Sequence, residues 1–217
     1  MKPLYPLFGI VSVLNTPFIA DNTIDFQALK TNVGEAIKAG VTGFLVPAMA
    51  SEVYKLSANE RLNMVSAVLE EVNGRLNVSG GWAVTHMIVG LTRNVHAFMP
   101  TGMHWVYSEI YRFWKEGKIA EATSLFQKIL PVLAFSNQHL DISIHFFKRL
   151  LHRQGLYPTD RVRDPILQFD RLHQQIADQL IERVIEIENG IKFRSQTVEM
   201  HSCASLQLCV STQKTRS

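Results

Sequence analysis

Residues 47–52, Pro-Ala-Met-Ala-Ser-Glu, follow the apolar run Gly43-Phe44-Leu45-Val46 and lead toward Ser57, three residues ahead of Glu60. A buried strand that breaks off into small residues and passes into a helix leaves backbone N–H groups free above its carboxyl end, and such places bind anions. The chemistry on offer is capture of a carboxylate by the amides of Ala50 and Ser51, worth about 1 kcal/mol from the helix dipole. Thr16, Met49, Glu52 and Gly81 stand at other expected strand ends or beside this passage and complete the candidate pocket. Glu60 fits a capping box with Ser57 better than an acid/base role.

Other reactive groups are scattered. Lys148, in His145-Phe146-Phe147-Lys148-Arg149, would be an amine nucleophile if buried with a lowered pKa; the exposure habit of lysine points instead to a solvated place on an amphipathic helix. His86, His96 and His104 fall near expected strand ends, but no pair has the i, i+4 spacing with a carboxylate that a metal site uses. Cys203 and Cys209 are the only cysteines, and with His201 they offer three ligands in no standard zinc spacing. No metal is expected. Trp82, Trp105 and Trp114 read as packing residues.

Alternating elements must position these groups. A strand is expected over 8–14, then an amphipathic helix over 25–39 with Phe26, Leu29, Val33, Ala36 and Ile37 on one face. The strand 43–46 and a helix over 59–72 follow, the helix turning Leu62, Val65, Val68, Leu69 and Val72 inward. A short strand at 76–79, a helix from 80 to 91, a strand at 95–100 and a helix from 102 to 114 continue the alternation, which argues for parallel βαβ units. Helices are expected over 119–135, 139–154 and 164–187. From 189 to 217 the chain turns Ser/Thr/Gln-rich without a sustained period and reads as a poorly ordered tail.

Composition narrows the class. Of 217 residues, 47% are hydrophobic and 19% charged, as in ordinary globular proteins. A net charge of +3 without a basic cluster excludes a nucleic-acid footprint. No apolar run reaches membrane-spanning length, and prolines interrupt MKPLYPLFG where a signal peptide would carry its apolar region, so no membrane association and a cytoplasmic location are expected.

The run GIVSVLNTPF at 9–18 with Asp21 and Asp25 beyond it, AGVTGFLV at 39–46 and LSANER at 56–61 resemble, in order and spacing, the start of the dihydrodipicolinate synthase and N-acetylneuraminate lyase family. WKEGKIAEA at 114–122 and FDRLHQQIADQL at 169–180 resemble that family's C-terminal three-helix extension. The resemblance covers about 4–188. It implies a (β/α) barrel and class I aldolase or lyase chemistry, with a Schiff base formed on pyruvate or another 2-oxo acid and no cofactor. Ala48-Met49-Ala50-Ser51-Glu52 stands where many members carry Gly-Thr-Thr-Gly-Glu, so the carboxylate-gripping amides persist without the paired hydroxyls.

One departure matters more. Ser79-Gly80-Gly81 and the strand at 95–100 resemble the seventh and eighth βα units, yet follow the second or third directly. The resemblance therefore implies an incomplete barrel of about four parallel strands over 1–114, joined near 73–79, with the helical extension over 115–188 and an unrelated tail over 189–217. The missing units are those in which the family keeps its tyrosine acid/base and Schiff-base lysine, so no catalytic residue is assigned. Gly190-Ile191-Lys192 mimics the lysine's tripeptide but comes after the final helix. Four strands cannot close an eight-stranded barrel, and the open edges imply a homo-oligomer. The alternatives are a non-catalytic anion-binding or oligomerisation protein and a truncated product without selected activity.

Overall fold

The run Gly-Ile-Val-Ser-Val forms strand β1 (Gly9–Val13), buried along its whole length because it is paired on both edges. The structure, a computed structural model, describes residues 8–73, 86–92 and 97–213, and side chains as far as Thr197. β2 (Gly43–Leu45) lies parallel to β1 with Val11 opposite Gly43 and Val13 opposite Leu45. β3 (Ala97–Phe98) lies parallel on the other side, with Gly9 opposite Ala97 and Ile10 opposite Phe98. The sheet order is thus β2-β1-β3, and the last of the three strands joins the first rather than the second. Only glycine suits position 9: its φ is +77° and an added Cβ would fall 2.8 Å from the Thr42 side chain.

Helix α1 (Phe26–Lys38) starts where the Asp25 carboxylate accepts the Ala28 N–H at 2.9 Å, and buries Leu29 and Val33, each worth about 2 kcal/mol of apolar burial. Two short 3₁₀ turns, Met49–Ser51 and Val53–Lys55, lead to α2 (Ala58–Val72), which opens on the expected Ser57–Glu60 capping box. Its inward face differs from the expected one. Met64, Ala67, Val68 and Val72 are buried, whereas Leu62 and Leu69 are 65% and 58% exposed. The helix is rotated so that Met64 meets the Thr16 hydroxyl beside β1, which turns Leu62 and Leu69 away.

Of the four strands expected, three are described; the one at 76–79 and the opening of the next helix lie outside the described residues, where α3 (Met87–Thr92) is the part seen. α4 (His104–Lys115), α5 (Ile119–Ser136) and α6 (Leu140–Arg153) follow close to the expected bounds. The final helix begins later than expected. Residues 164–170 are irregular, and α7 runs from Arg171 to Gln213. The segment after 189, read from composition as irregular, continues this helix, because Ile191 is buried in the core and Lys192 reaches Glu35 on α1.

One apolar core joins the layers. Ile10 and Leu14 of β1, Phe44 of β2 and Phe98 of β3 meet Leu29 and Val33 of α1, Val106 and Ile110 of α4, Leu133 of α5, Phe146 of α6 and Ile181 of α7. α4 has no side-chain cap of its own: Met103, with φ +49°, precedes it. Glu188 of α7 lies buried beside this start, its carboxyl accepting from the Gln154 amide at 2.6 Å. Among the described residues no helix is long and apolar enough to cross a membrane.

Candidate functional site at the strand ends

Asn15 and Thr16 continue β1 and are both buried. The Asn15 amide donates to the Ala50 carbonyl at 2.8 Å, and the Thr16 hydroxyl donates to the Ser51 carbonyl at 2.6 Å. Ser51 closes the same knot: its hydroxyl donates to the Leu14 carbonyl and accepts the Ala48 N–H at 3.0 Å, while its own N–H donates to the Ala48 carbonyl at 3.0 Å. The passage 48–52 is therefore tied to the end of β1 through its own polar groups. Of the two amides expected to face an anion, that of Ser51 is engaged within the turn. Met49 is 57% exposed, and Gly81 lies outside the described residues.

Glu52 sits just past this knot in the left-handed region, φ +57°, and is fully buried. Its carboxylate pairs with the Lys148 amine, lies 3.2 Å from the Lys55 amine and accepts the Arg163 N–H at 3.1 Å. A buried carboxylate without such partners would be strongly disfavoured. Lys148, on α6, is buried and not solvated as its residue type suggested. The Lys148 amine donates to the Arg161 carbonyl at 2.8 Å and stands 4.1 Å from the centre of the Phe18 ring. Burial pushes its pKa down to about 8, against the pull of Glu52.

Arg163 covers the other face of that neighbourhood, 4.3 Å from the Phe18 ring. It holds Glu60 from two nitrogens at 2.5 and 3.3 Å, and the Asn22 and Lys55 carbonyls at 2.6 and 2.9 Å. The Arg163 hydrogen bonds, aided by those from Ser57, pull the Glu60 carboxyl down to about 2. Glu60 thus keeps its capping role and gains a second one. Tyr157 donates to the Asn15 carbonyl at 2.6 Å and Thr159 donates to the Phe18 carbonyl. Residues 157–163 form a strap pinned across the ends of β1 and β2.

The remaining candidates are not gathered here. His104 is buried on α4, 3.4 Å from the Ser12 hydroxyl, and burial lowers its pKa to about 4. His86 is exposed, and His96 lies outside the described residues. Lys192 stands on α7, 3.8 Å from Glu35, rather than behind a strand. The backbone of Cys203 and Cys209 is helical, with their side chains outside the description. Sequence reading passed over the Glu52–Lys148–Arg163 cluster. One signal was available: Lys148 falls in the row Ile144, Lys148, Leu151, whose i, i+4, i+7 spacing marks the buried stripe of α6.

The part of this site from Asn15 to Glu60 lies within a stretch that known proteins share. Residues 6–84 match the model of the dihydrodipicolinate synthetase family. An N-acetylneuraminate lyase from Rhizobium meliloti is 36% identical over 185 residues, covering 81% of this chain and 60% of that protein. The sequence likeness supports membership of the dihydrodipicolinate synthase and N-acetylneuraminate lyase family. A 4-hydroxy-tetrahydrodipicolinate synthase from Laribacter hongkongensis is 33% identical over 89 residues, 40% of this chain. The match spans 31% of that synthase's length. Among solved structures, the 4-hydroxy-tetrahydrodipicolinate synthase of Methylacidiphilum fumariolicum SolV aligns over 87% of this chain and 99% of its own, with a TM-score of 0.73 at 13% identity. The fold accordingly resembles the barrel of the family, with three parallel strands and many helices described.

Proposed function

We propose that this chain is a non-catalytic member of its family, an internally shortened barrel that keeps the strand-end passage and the helical extension but has no amine placed to form a Schiff base. The observation that carries this reading is the distribution of lysine. No lysine occurs between residues 56 and 114, where the later barrel strands fall, and none occurs in β1, β2 or β3. The buried amine nearest the strand ends, that of Lys148, is engaged by Glu52 and the Arg161 carbonyl. Tyr157, the buried phenol at the same place, has its hydroxyl donated to the Asn15 carbonyl. Pairing of β3 with β1 supports reading β3 as the barrel's last strand, brought next to the first with the centre of the barrel left out.

What remains for a 2-oxo acid is the amide of Ala50, worth about 1 kcal/mol for a carboxylate, so binding of pyruvate is weak. Self-association is the more substantial activity: β2 and β3 each have one edge unpaired among the described residues, and Leu62 and Leu69 face outward. The test is borohydride trapping with pyruvate, followed by mass spectrometry of protein shown to be folded by circular dichroism. The expected result is no lysine adduct. The lowered pKa of Lys148 favours the opposite reading, a substitute nucleophile, and an adduct mapped to Lys148 would establish it and overturn the proposal.

A further inference from the structure

On the far side of α4 from the strand ends, the C-terminus of α1, one face of α4 and the last described turns of α7 enclose a cleft of about 850 Å³. That volume suits a small molecule. Trp105 and Phe113 of α4 form aromatic walls, Ile191 adds an apolar patch, and Ser108 lies inside with a buried hydroxyl that has no hydrogen-bond partner among the described residues. Four cations, Lys38, Arg112, Lys118 and Arg194, share the lining with a single carboxylate, Glu109.

The charges are not equivalent. Glu109 is gripped by Arg112 through two bonds of 2.8 and 2.9 Å, so its repulsion of an incoming anion is largely cancelled. Lys38 is paired with Glu35 and Lys118 with Glu116. Arg194 has no carboxylate partner among the described residues. The aromatic walls are themselves biased toward anions, because Lys192 stands 5.7 Å from the Trp105 ring and Arg112 stands 4.8 Å from the Phe113 ring. Ile191, Arg194 and Ser195 also lie beyond residue 188, the last residue of the resemblance read from the family's motifs. This wall belongs to the present chain's own extension.

We propose that the cleft between α1, α4 and α7 binds a small aromatic anion, a planar ring carrying a carboxylate or phosphate, with the ring against Trp105 and Phe113 and the anion on Arg194. The site is separate from the strand ends and does not rest on the catalytic reading.

The experiment is isothermal titration of the full chain with 1-naphthoate, alongside 1-naphthalenemethanol as the uncharged analogue. Saturable binding of 1-naphthoate is expected, with the alcohol and the R194E variant each weaker by about tenfold or more, the loss of one favourable charge contact. Replacing Ser108 by Phe, in protein with an unchanged circular dichroism spectrum, fills the cleft and abolishes binding, whereas excess pyruvate leaves it unchanged. The proposal is overturned by absence of binding, by equal binding of acid and alcohol, by an R194E variant that binds like the parent, or by displacement with pyruvate.

Discussion

The strand-end clamp and the outer face of α2 belong to one short stretch of chain, 47–72, and are finished in opposite ways. At the amino end of α2 the carboxylates are answered: Glu52 by Lys148 and Lys55, Glu60 by Arg163, with Phe18 between two cations. Along its side, Leu62 and Leu69 stand in solvent. The partners of the clamp come from α6 and the strap at 157–163, about a hundred residues away. The C-terminal region therefore completes the ends of the first two βα units but not their flank. On the proposed reading of an internally shortened barrel, this contrast has a simple cause: the flank of α2 is where the next unit would pack, and the C-terminal extension would not reach it.

If the clamp is what fastens the strap to the sheet, removing one of its charges has the largest effect. Glu52→Gln leaves Lys148 charged and buried, and Lys148→Met leaves Glu52 buried with only the Lys55 amine and the Arg163 N–H. Each is expected to lower the unfolding free energy by about 3–5 kcal/mol, as for other broken buried pairs. Replacing both with Met restores much of the loss, since two buried charges then disappear together. Urea titration of the two single variants and the double variant gives the coupling. Losses below about 1 kcal/mol for both singles would mean that apolar packing, not the ion pair, holds the strap.

A pH series sharpens the same comparison, because two carboxyls respond in opposite directions. Glu188, buried under the start of α4, is pushed up from 4.5 to about 7, chiefly by burial. Its unfolded form gives up the proton first, so stability is full below about pH 4.5 and falls as pH rises toward 7, by about 3 kcal/mol at most. Glu60 is drawn down to about 2, so its contribution is present above pH 4.5 and is lost as pH falls toward 2. Buried His104, lowered to about 4, loses stability as pH falls from 6.5 toward 4 and so offsets Glu188 across that window. The Glu188 contribution is therefore read by difference: relative to the parent, Glu188→Gln should gain stability as pH rises from 5 to 7 and leave the acid limb unaltered. A variant that tracks the parent across that window would remove Glu188 from the pH response.

Much of this was legible locally. Asp25 and the Ser57–Glu60 pair announced their helices because a cap needs only neighbours within four residues, and GIVSV and GFLV announced strands by composition and flanking turns. The clamp was not legible as a pair, because Glu52 and Lys148 are joined by tertiary packing: Glu52 read as part of an anion pocket and Lys148 as a solvated lysine, although its row with Ile144 and Leu151 marks a buried stripe. Thr16 and Ser51 were placed at the right end of the strands, but their hydroxyls point into the backbone knot, a direction that spacing does not encode. The stretch from 189 read from its composition as a poorly ordered tail. It remains helical because Ile191 has the core to enter, an anchor set by α4 and not by the local sequence. The inward face of α2 was misjudged for a related reason: Leu62, Val65 and Leu69 do form an apolar row, and periodicity alone cannot tell a core row from one awaiting a partner.

That row supplies the smallest effect on stability and the clearest contrast with the clamp. Leu62→Gln and Leu69→Gln alter side chains that are more than half exposed, so each is expected to change the unfolding free energy by no more than about 0.5 kcal/mol. Their effect should appear in association instead. Light scattering behind size exclusion is expected to report an oligomer for the parent chain and a shift toward smaller species for the double variant, because a second copy gains little from packing on glutamine. A loss of about 2 kcal/mol or more per site at dilution where the chain is monomeric would place the row under cover within its own chain. The clamp and the flank would then be equally finished, and self-association would need another surface.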